Sequence, residues 1–373
     1  VVGTLQGAVL PASTLERDVL AARVRDYQPR LLDELVSLGE IVWVGRGPLG
    51  SGDGRVALYR RDDAARLVPE PAEPPDGRLH ERLREALGRR GASFFHDLYR
   101  ECGGGDPEEL TDALWDLVWA GEVTNDSAAP LRLLGPRPRR TSGRRPLMRL
   151  APPRAQGRWS LVAGLREPAV SPTERLHALS ATLLGRHGVL TREAVLAEGV
   201  PGGFAAVYPV LRAMEEAGRA RRGYFVDGLG ASQFALAGAV DRLRGVRDEP
   251  PGVVVLSATD PANVYGATVP WPQTAGRPAR AAGAYVVLEG GRLSLFLERG
   301  GRSLLTAGDP SPSALAALAP LAERLGRVEI LTVDGEPVRG CALERGLREA
   351  GFGASPRGLV LWGGAKRRLP VGA

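Results

Sequence analysis

Three guanidinium groups and two aromatic rings fall within the heptapeptide Arg219-Ala220-Arg221-Arg222-Gly223-Tyr224-Phe225. Arginine grips phosphate through paired N–H donors, and an aromatic ring offers an unpaired base a face to stack on. A turn that carries both has the chemistry of a nucleic-acid contact. The competing reading puts Tyr224 and Phe225 in a domain core and leaves the arginines in solvent. A second candidate is a charge run. Between Ser127 and Arg166 there are ten arginines, including Arg137, Arg139, Arg140, Arg144 and Arg145, and no Asp or Glu. The chain as a whole is net +6, so outside this stretch it is negative by about four. Positive charge gathered in one strip suits a polyanion, although a solvated linker has the same composition. The excess of Arg over Lys is not evidence in itself. Lys366 is the only lysine, and Asn and Ile are also scarce, the pattern of a GC-rich coding bias.

Other chemistries are missing their residues. A phosphate-binding P-loop needs Gly-Lys-Ser/Thr, and Lys366 lies between Ala365 and Arg367. The literal G-x-G-x-x-G at Gly45–Gly50 leads into a second extended run, Arg55–Tyr59, rather than the helix a dinucleotide needs. It reads as a hairpin. His80, His96, His177 and His187 are scattered and neither Cys102 nor Cys341 has a C-x-x-C partner, so no metal site is expected. No G-x-S-x-G elbow occurs. No cofactor is expected in this chain.

The elements that must position the candidate residues come from a repeat. Leu32-x-x-Leu35-x-x-Leu38-Gly39-Glu40-Ile41 recurs as Leu114-x-x-Leu117-x-x-Ala120-Gly121-Glu122-Val123 and as Leu211-x-x-Met214-x-x-Ala217-Gly218-Arg219-Ala220. Apolar residues three apart line one helical face, the glycine stops the helix, and extended segments follow. Helix, glycine and hairpin are the end of a winged-helix unit. Ser13–Glu16 predicts a capping box for the first unit, with Ser13 as N-cap. Asp106-Pro107 and Ser171-Pro172 predict helix starts in the second and third. The presumed reading helices carry Asp33 and Glu34, and Glu108, Glu109, Asp112 and Asp116. Acidic helices are poor guests in a groove lined by phosphates, which argues against a sequence-specific regulator. Trp115 and Trp119, four apart, read as packing.

The predicted organisation is α+β: a winged-helix-like unit over 1–68, a winged-helix unit over 76–134, an Arg/Pro-rich linker over 135–168, a third winged-helix unit over 169–247, and a β-rich, barrel-like module over 253–373. In that module Tyr285–Glu289, Leu293–Arg299 and Ser303–Thr306 are apolar runs joined by Gly-Gly turns, a β-meander. At 373 residues, 43% hydrophobic and 25% charged, the chain reads as a soluble globular protein. No run reaches the ~20 apolar residues a membrane helix needs. Two cysteines fit a reducing cytoplasm. The start at Val1, without Met, reads as a piece of a longer polypeptide.

Several long blocks carry a family resemblance: Leu10–Val24, Leu32–Gly45, Ala113–Asp126, Gly157–Leu161, Arg186–Ala206, Arg221–Phe234 and Leu256–Pro272. Together they resemble the C-terminal region of the bacterial large helicase-related proteins (Lhr). The resemblance implies tandem winged helices and a β-barrel module downstream of an ATP-dependent, 3′-to-5′ DNA helicase motor that acts in repair. ATP and magnesium would belong to that missing motor. It further implies similarity to AlkZ-type DNA glycosylases, and uracil-DNA glycosylase activity is attributed to this region in some members. The AlkZ-type Q-x-Q motif does not occur here. Asp260, in Ser-Ala-Thr-Asp-Pro-Ala-Asn, is the carboxylate to test for activating water; the alternative is an Asp-Pro turn. The expected role is thus a cytoplasmic, nucleoid-associated DNA-binding segment that takes single-stranded or forked DNA. Arg219, Arg221, Arg222, Tyr224 and the 137–145 arginines would make the contacts, and the motor domains of the same polypeptide would be partners. A damaged-base glycosylase and an assembly module forming a homo-oligomer are the alternatives. Trp115, Trp119, Phe94 and Phe95 are the residues favouring assembly.

Overall fold

The computed structural model describes residues 1–71, 73–134, 152–230, 232–247 and 252–364. They form two units: Val1–Glu16 with Arg23–Ala239, and Arg17–Ala22 with the chain from Val240 onward.

Among its described residues the first unit repeats one plan three times. The first copy has β1 (Leu10–Pro11), α1 (Pro29–Ser37), β2 (Ile41–Leu49) and β3 (Asp53–Arg60), with sheet order β1-β3-β2. The second has α2 (Arg78–Arg90), β4 (Ser93–Phe94), α3 (Phe95–Glu101), α4 (Pro107–Trp119), β5 (Val123–Asn125) and β6 (Arg158–Leu161), ordered β4-β6-β5. The third has α5 (Pro172–His187), β7 (Val189–Leu190), α6 (Arg192–Ala197), α7 (Gly203–Glu216), β8 (Ala220–Gly223) and β9 (Gln233–Leu236), ordered β7-β9-β8.

The repeat glycines end α1, α4 and α7 in the same way. Gly39, Gly121 and Gly218 have φ of 75°, 81° and 71°, a conformation costly for any residue with a Cβ. Their amides donate to Val36, Val118 and Glu215 carbonyls, and the next amides donate to Leu35, Leu117 and Met214 carbonyls. That pair of bonds is a Schellman stop. It turns the chain out of each helix and straight into the hairpin.

Three details differ from the sequence reading. Ser13 and Glu16 do not form a capping box. Ser13 Oγ instead donates to Asp53 at 2.5 Å, and Glu16 accepts from Tyr27 at 2.7 Å and Arg132 at 2.7 Å. Partners distant in sequence have displaced the local ones. Second, the stretch 135–168 is not simply a linker, because β6 lies inside it. Trp159 pairs with Ser93 and Asn125, so β6 closes the sheet of the second winged helix. The arginine-rich segment therefore connects the two strands of that unit's wing. Third, the second unit holds no closed barrel among its described residues. Its larger sheet is open, in order β10-β11-β12-β13-β15-β16, built from Val253–Ser257, Tyr285–Glu289, Arg292–Leu297, Ser303–Thr306, Thr332–Val333 and Glu336–Pro337. A separate three-stranded sheet joins β14 (Arg327–Ile330), β17 (Gly353–Ala354) and β18 (Leu359–Trp362).

The open sheet is stable because both faces are covered. Tyr285, Val287, Leu295 and Leu297 face a core that includes Leu315, Leu318 and Leu321 from the helices Pro312–Ala316 (α8) and Leu318–Leu325 (α9). On the other face Val286, Leu288, Leu293 and Phe296 pack with Ala258, Tyr265, Trp271 and Ala281 from the long loop after β10. Burial on both faces explains why successive residues of β11 and β12 are apolar, with only the buried Ser294 interrupting Leu293–Leu297. The meander and its two Gly-Gly turns lie where the sequence puts them.

Candidate nucleic-acid interface

The third winged helix presents its wing to solvent. α5 begins with the capping box Ser171/Glu174, and Thr191 caps α6 through the Ala194 amide. Leu183, Leu184, Val195, Val207, Leu211 and Phe234 make the core that fixes the hairpin. From that base, β8 carries Arg221 and Arg222 outward, both exposed. Arg222 is steered by Glu215 at 3.3 Å and by Tyr208 Oη at 3.3 Å. Arg219 approaches His177 Nε2 at 3.4 Å. Tyr224 is 91% exposed. Phe225 turns the other way and lies under Gly223, where an added Cβ would sit 3.1 Å from its ring. The two aromatics of the heptapeptide thus divide, one packed beneath the ribbon and one exposed to solvent.

Gln233 is the residue sequence reasoning missed. It is fully buried in β9 and all four of its amide valences are used. Its Oε1 accepts from the Phe225 and Val226 amides at 2.9 and 2.8 Å, and its Nε2 donates to the Val226 and Leu229 carbonyls at 2.9 and 3.0 Å. A buried side-chain amide saturated in this way fixes the loop it serves. A lone Gln between Ser232 and Phe234 gives no sequence signal of that role.

The outer face of α7 has different chemistry. Between α5 and α7 runs a groove of about 480 Å³ lined by Leu176, Ala206, Pro209, Val210, Ala213 and Met214, with His177 and Arg219 at its edge. An apolar helix face lacks the donors and acceptors that read base edges. α4 is no better suited, since Glu108, Glu109 and Asp116 are exposed on it.

The wing of the first copy is a packing surface. A Cβ on Gly45 would lie 1.9 Å from the Val118 carbonyl oxygen, and one on Gly54 would lie 2.3 Å from the Trp119 ring. Gly45 of the G-x-G-x-x-G stretch, and Gly54 beyond it, thus let the hairpin lie against α4. Trp115 stacks on Trp43 with centroids 6.5 Å apart, lies tilted against Trp119 at 5.0 Å, and meets Trp159 edge-on at 5.8 Å. Trp115 and Phe95 are buried, while Phe94 is 57% exposed.

Arg137, Arg139, Arg140, Arg144 and Arg145 lie outside the described residues. The described arginines of the same run are partnered: Arg132 with Glu16 and Asp33, Arg154 with Asp112, Arg158 with Asp126, and Arg166 with Glu70, at 2.7, 2.8, 3.7, 2.6 and 3.5 Å. A stretch without acids in sequence is not without acids in space.

Asp260 is fully buried, and its Oδ1 accepts from the Ala262 amide at 2.8 Å. Arg280 binds the carbonyls of Asn263 and Asp260 at 2.5 and 3.1 Å. This is an Asx turn inside a braced loop, and it does not expose a carboxylate to water. Among the described residues no group of three or more His, Cys, Asp or Glu is placed to hold a metal, and no helix is long and apolar enough to cross a membrane.

Comparison with known proteins places these features in context. Residues 1–61 and 169–254 each match a model of a winged-helix domain of large helicase-related proteins. A relative from Mycolicibacterium smegmatis, "Lhr helicase/probable uracil glycosylase", is 44% identical over 97% of this chain and 26% of its own length. The "Lhr helicase/uracil glycosylase" of Escherichia coli is 38% identical, again over 97% and 26%. The chain therefore spans about a quarter of the length of these curated relatives. Among solved structures, the Streptomyces sahachiroi DNA glycosylase AlkZ is similar in fold, with a TM-score of 0.51 and 16% identity, covering 89% of this chain and 92% of that one.

Proposed function

We propose, for a chain that belongs to the large helicase-related (Lhr) family and corresponds to its C-terminal winged-helix region, that it grips single-stranded or forked DNA for an ATP-dependent 3′-to-5′ repair helicase. The motor, with its ATP and magnesium, would lie elsewhere in the same polypeptide, and the whole would work in the cytoplasm on the nucleoid. The observation that carries this reading is the third wing: exposed Arg219, Arg221 and Arg222 line the strand that leads to a 91% exposed Tyr224. The apolar face of α7 and the acidic face of α4 point to backbone contact rather than base reading.

The test is equilibrium binding of the purified chain to labelled single strands and forks as salt rises. Three phosphate contacts released as counterions lower affinity about twentyfold or more between 50 and 200 mM salt. Binding that ignores salt over that range overturns the reading.

A second reading is base excision. Its support is the "uracil glycosylase" in both relatives' names and the AlkZ-like fold. Extruding a base and cleaving its N-glycosidic bond needs a carboxylate or equivalent group at water, and Asp260 does not offer one. Incubation with strands carrying one uracil, followed by alkaline cleavage, tests it. Strand scission at the uracil establishes excision, and its survival or loss in Asp260→Ala decides whether that carboxylate serves it; intact strands that are nevertheless bound favour the gripping role and leave only other lesions for excision.

A further inference from the structure

We infer that the third wing is a rigid wedge for the point where paired DNA opens. Tyr224 is the surface on which the last base pair stacks, and Gln233 is the positioning residue that holds it there. This inference rests on the DNA-gripping role proposed above and adds the kind of DNA that the wing selects.

Three observations converge. First, a tyrosine ring normally keeps its apolar body against protein and wets only its hydroxyl, yet Tyr224 is 91% exposed. Second, this exposure does not come from a loose loop. Gln233 ties the Phe225 and Val226 amides and the Val226 and Leu229 carbonyls, and Phe225 wedges under Gly223. The segment from Phe225 to Leu229 is thus tied down in the folded chain, so its ordering cost has already been met in folding. Third, Arg221 and Arg222 are neighbours on β8 and so leave opposite faces of the ribbon. Arg222 is held by Glu215, while Arg221 is exposed. A ribbon with cations on both faces and an aromatic ring near its tip matches two backbones that separate around it. A continuous duplex offers that tip no base face, and a single strand uses only one side of the ribbon.

The experiment compares three DNAs matched in phosphate number: a fork, a single strand, and a duplex closed by hairpin loops at both ends. The fork carries 2-aminopurine beside the junction, whose emission falls when an aromatic ring stacks on it. The wild-type chain binds the fork about tenfold more tightly than the other two and quenches the probe. Tyr224→Ala abolishes both the preference and the quenching, and Tyr224→Phe keeps both because the ring remains. Gln233→Ala loses the preference with Tyr224 intact. Arg221→Ala weakens all three DNAs by a similar factor.

A fork preference and quenching that survive Tyr224→Ala overturn the wedge. If Arg221→Ala still weakens every DNA in that case, the gripping role stands without it, and if neither variant changes binding, both ideas fall. A preference retained by Gln233→Ala removes Gln233 from the inference. Tyr224 variants change an exposed side chain, so they report on the wedge even where Gln233→Ala unfolds the wing.

Discussion

Glu198 shows how single charges hold the first unit together. It accepts from His187 at 2.8 Å and pairs with Arg186 at 2.5 Å, where Arg186 is 4% exposed. Arg186 also donates to the carbonyls of Thr4 and Gln6, tying the first winged helix to the third. Burial pushes the Glu198 carboxyl up, but the His187 bond and the Arg186 charge outweigh it and leave its pKa below the usual range. A carboxyl whose folded pKa is depressed stabilises the fold above its unfolded pKa of about 4.3 and loses that contribution as pH falls through the folded value. Glu198→Gln is therefore expected to flatten the acid limb of a stability-versus-pH curve below about pH 4.5. Glu198→Ala, which strands Arg186, costs about 3 kcal/mol at neutral pH, measurable by denaturant unfolding. At this scale the sequence is a poor guide. The arginine run told of charge without partners, while Arg132, Arg154, Arg158 and Arg166 each meet a carboxylate that lies far away in sequence or just outside the acid-free stretch. Gln233 carried no signal, because its role depends on backbone groups brought to it by the folded loop.

One element, the hairpin after a glycine stop, is used in three ways. In the first copy it is pressed against α4, in the second it carries the arginine-rich insertion between β5 and β6, and in the third it stands free. The packed hairpin makes a sharp prediction. Gly45→Ala must displace the Val118 carbonyl, since no rotamer removes a Cβ, and overpacking of this kind costs about 3 kcal/mol. A thermal unfolding midpoint equal to wild type would show that the first and second copies are not so closely joined. The helices, stops and hairpins themselves are legible in sequence because apolar spacing and glycine conformation are local properties. The fate of each hairpin is not, since it depends on which surface of a neighbouring repeat it meets. β6 is the clearest case: Trp159 pairs with Ser93 and Asn125, partners more than thirty residues away, and composition alone made its surroundings look like a linker.

At the scale of the molecule, the family and the winged-helix repeat agree between sequence and structure, and the expected barrel is replaced by an open sheet covered on both faces. A β-meander read from sequence fixes which strands are neighbours but not whether the two edges meet, because closure depends on strands contributed from further along the chain. The proposed DNA contact rests on one exposed wing rather than on the net charge of the chain. The most direct test measures the slope of log affinity against log salt for single-stranded DNA, with the wild-type chain and with Arg219, Arg221 and Arg222 all changed to Ala. Contact through the wing makes the slope shallower by about two in the variant, one share for each lost phosphate contact. An unchanged slope with unchanged affinity would place the DNA elsewhere and contradict it.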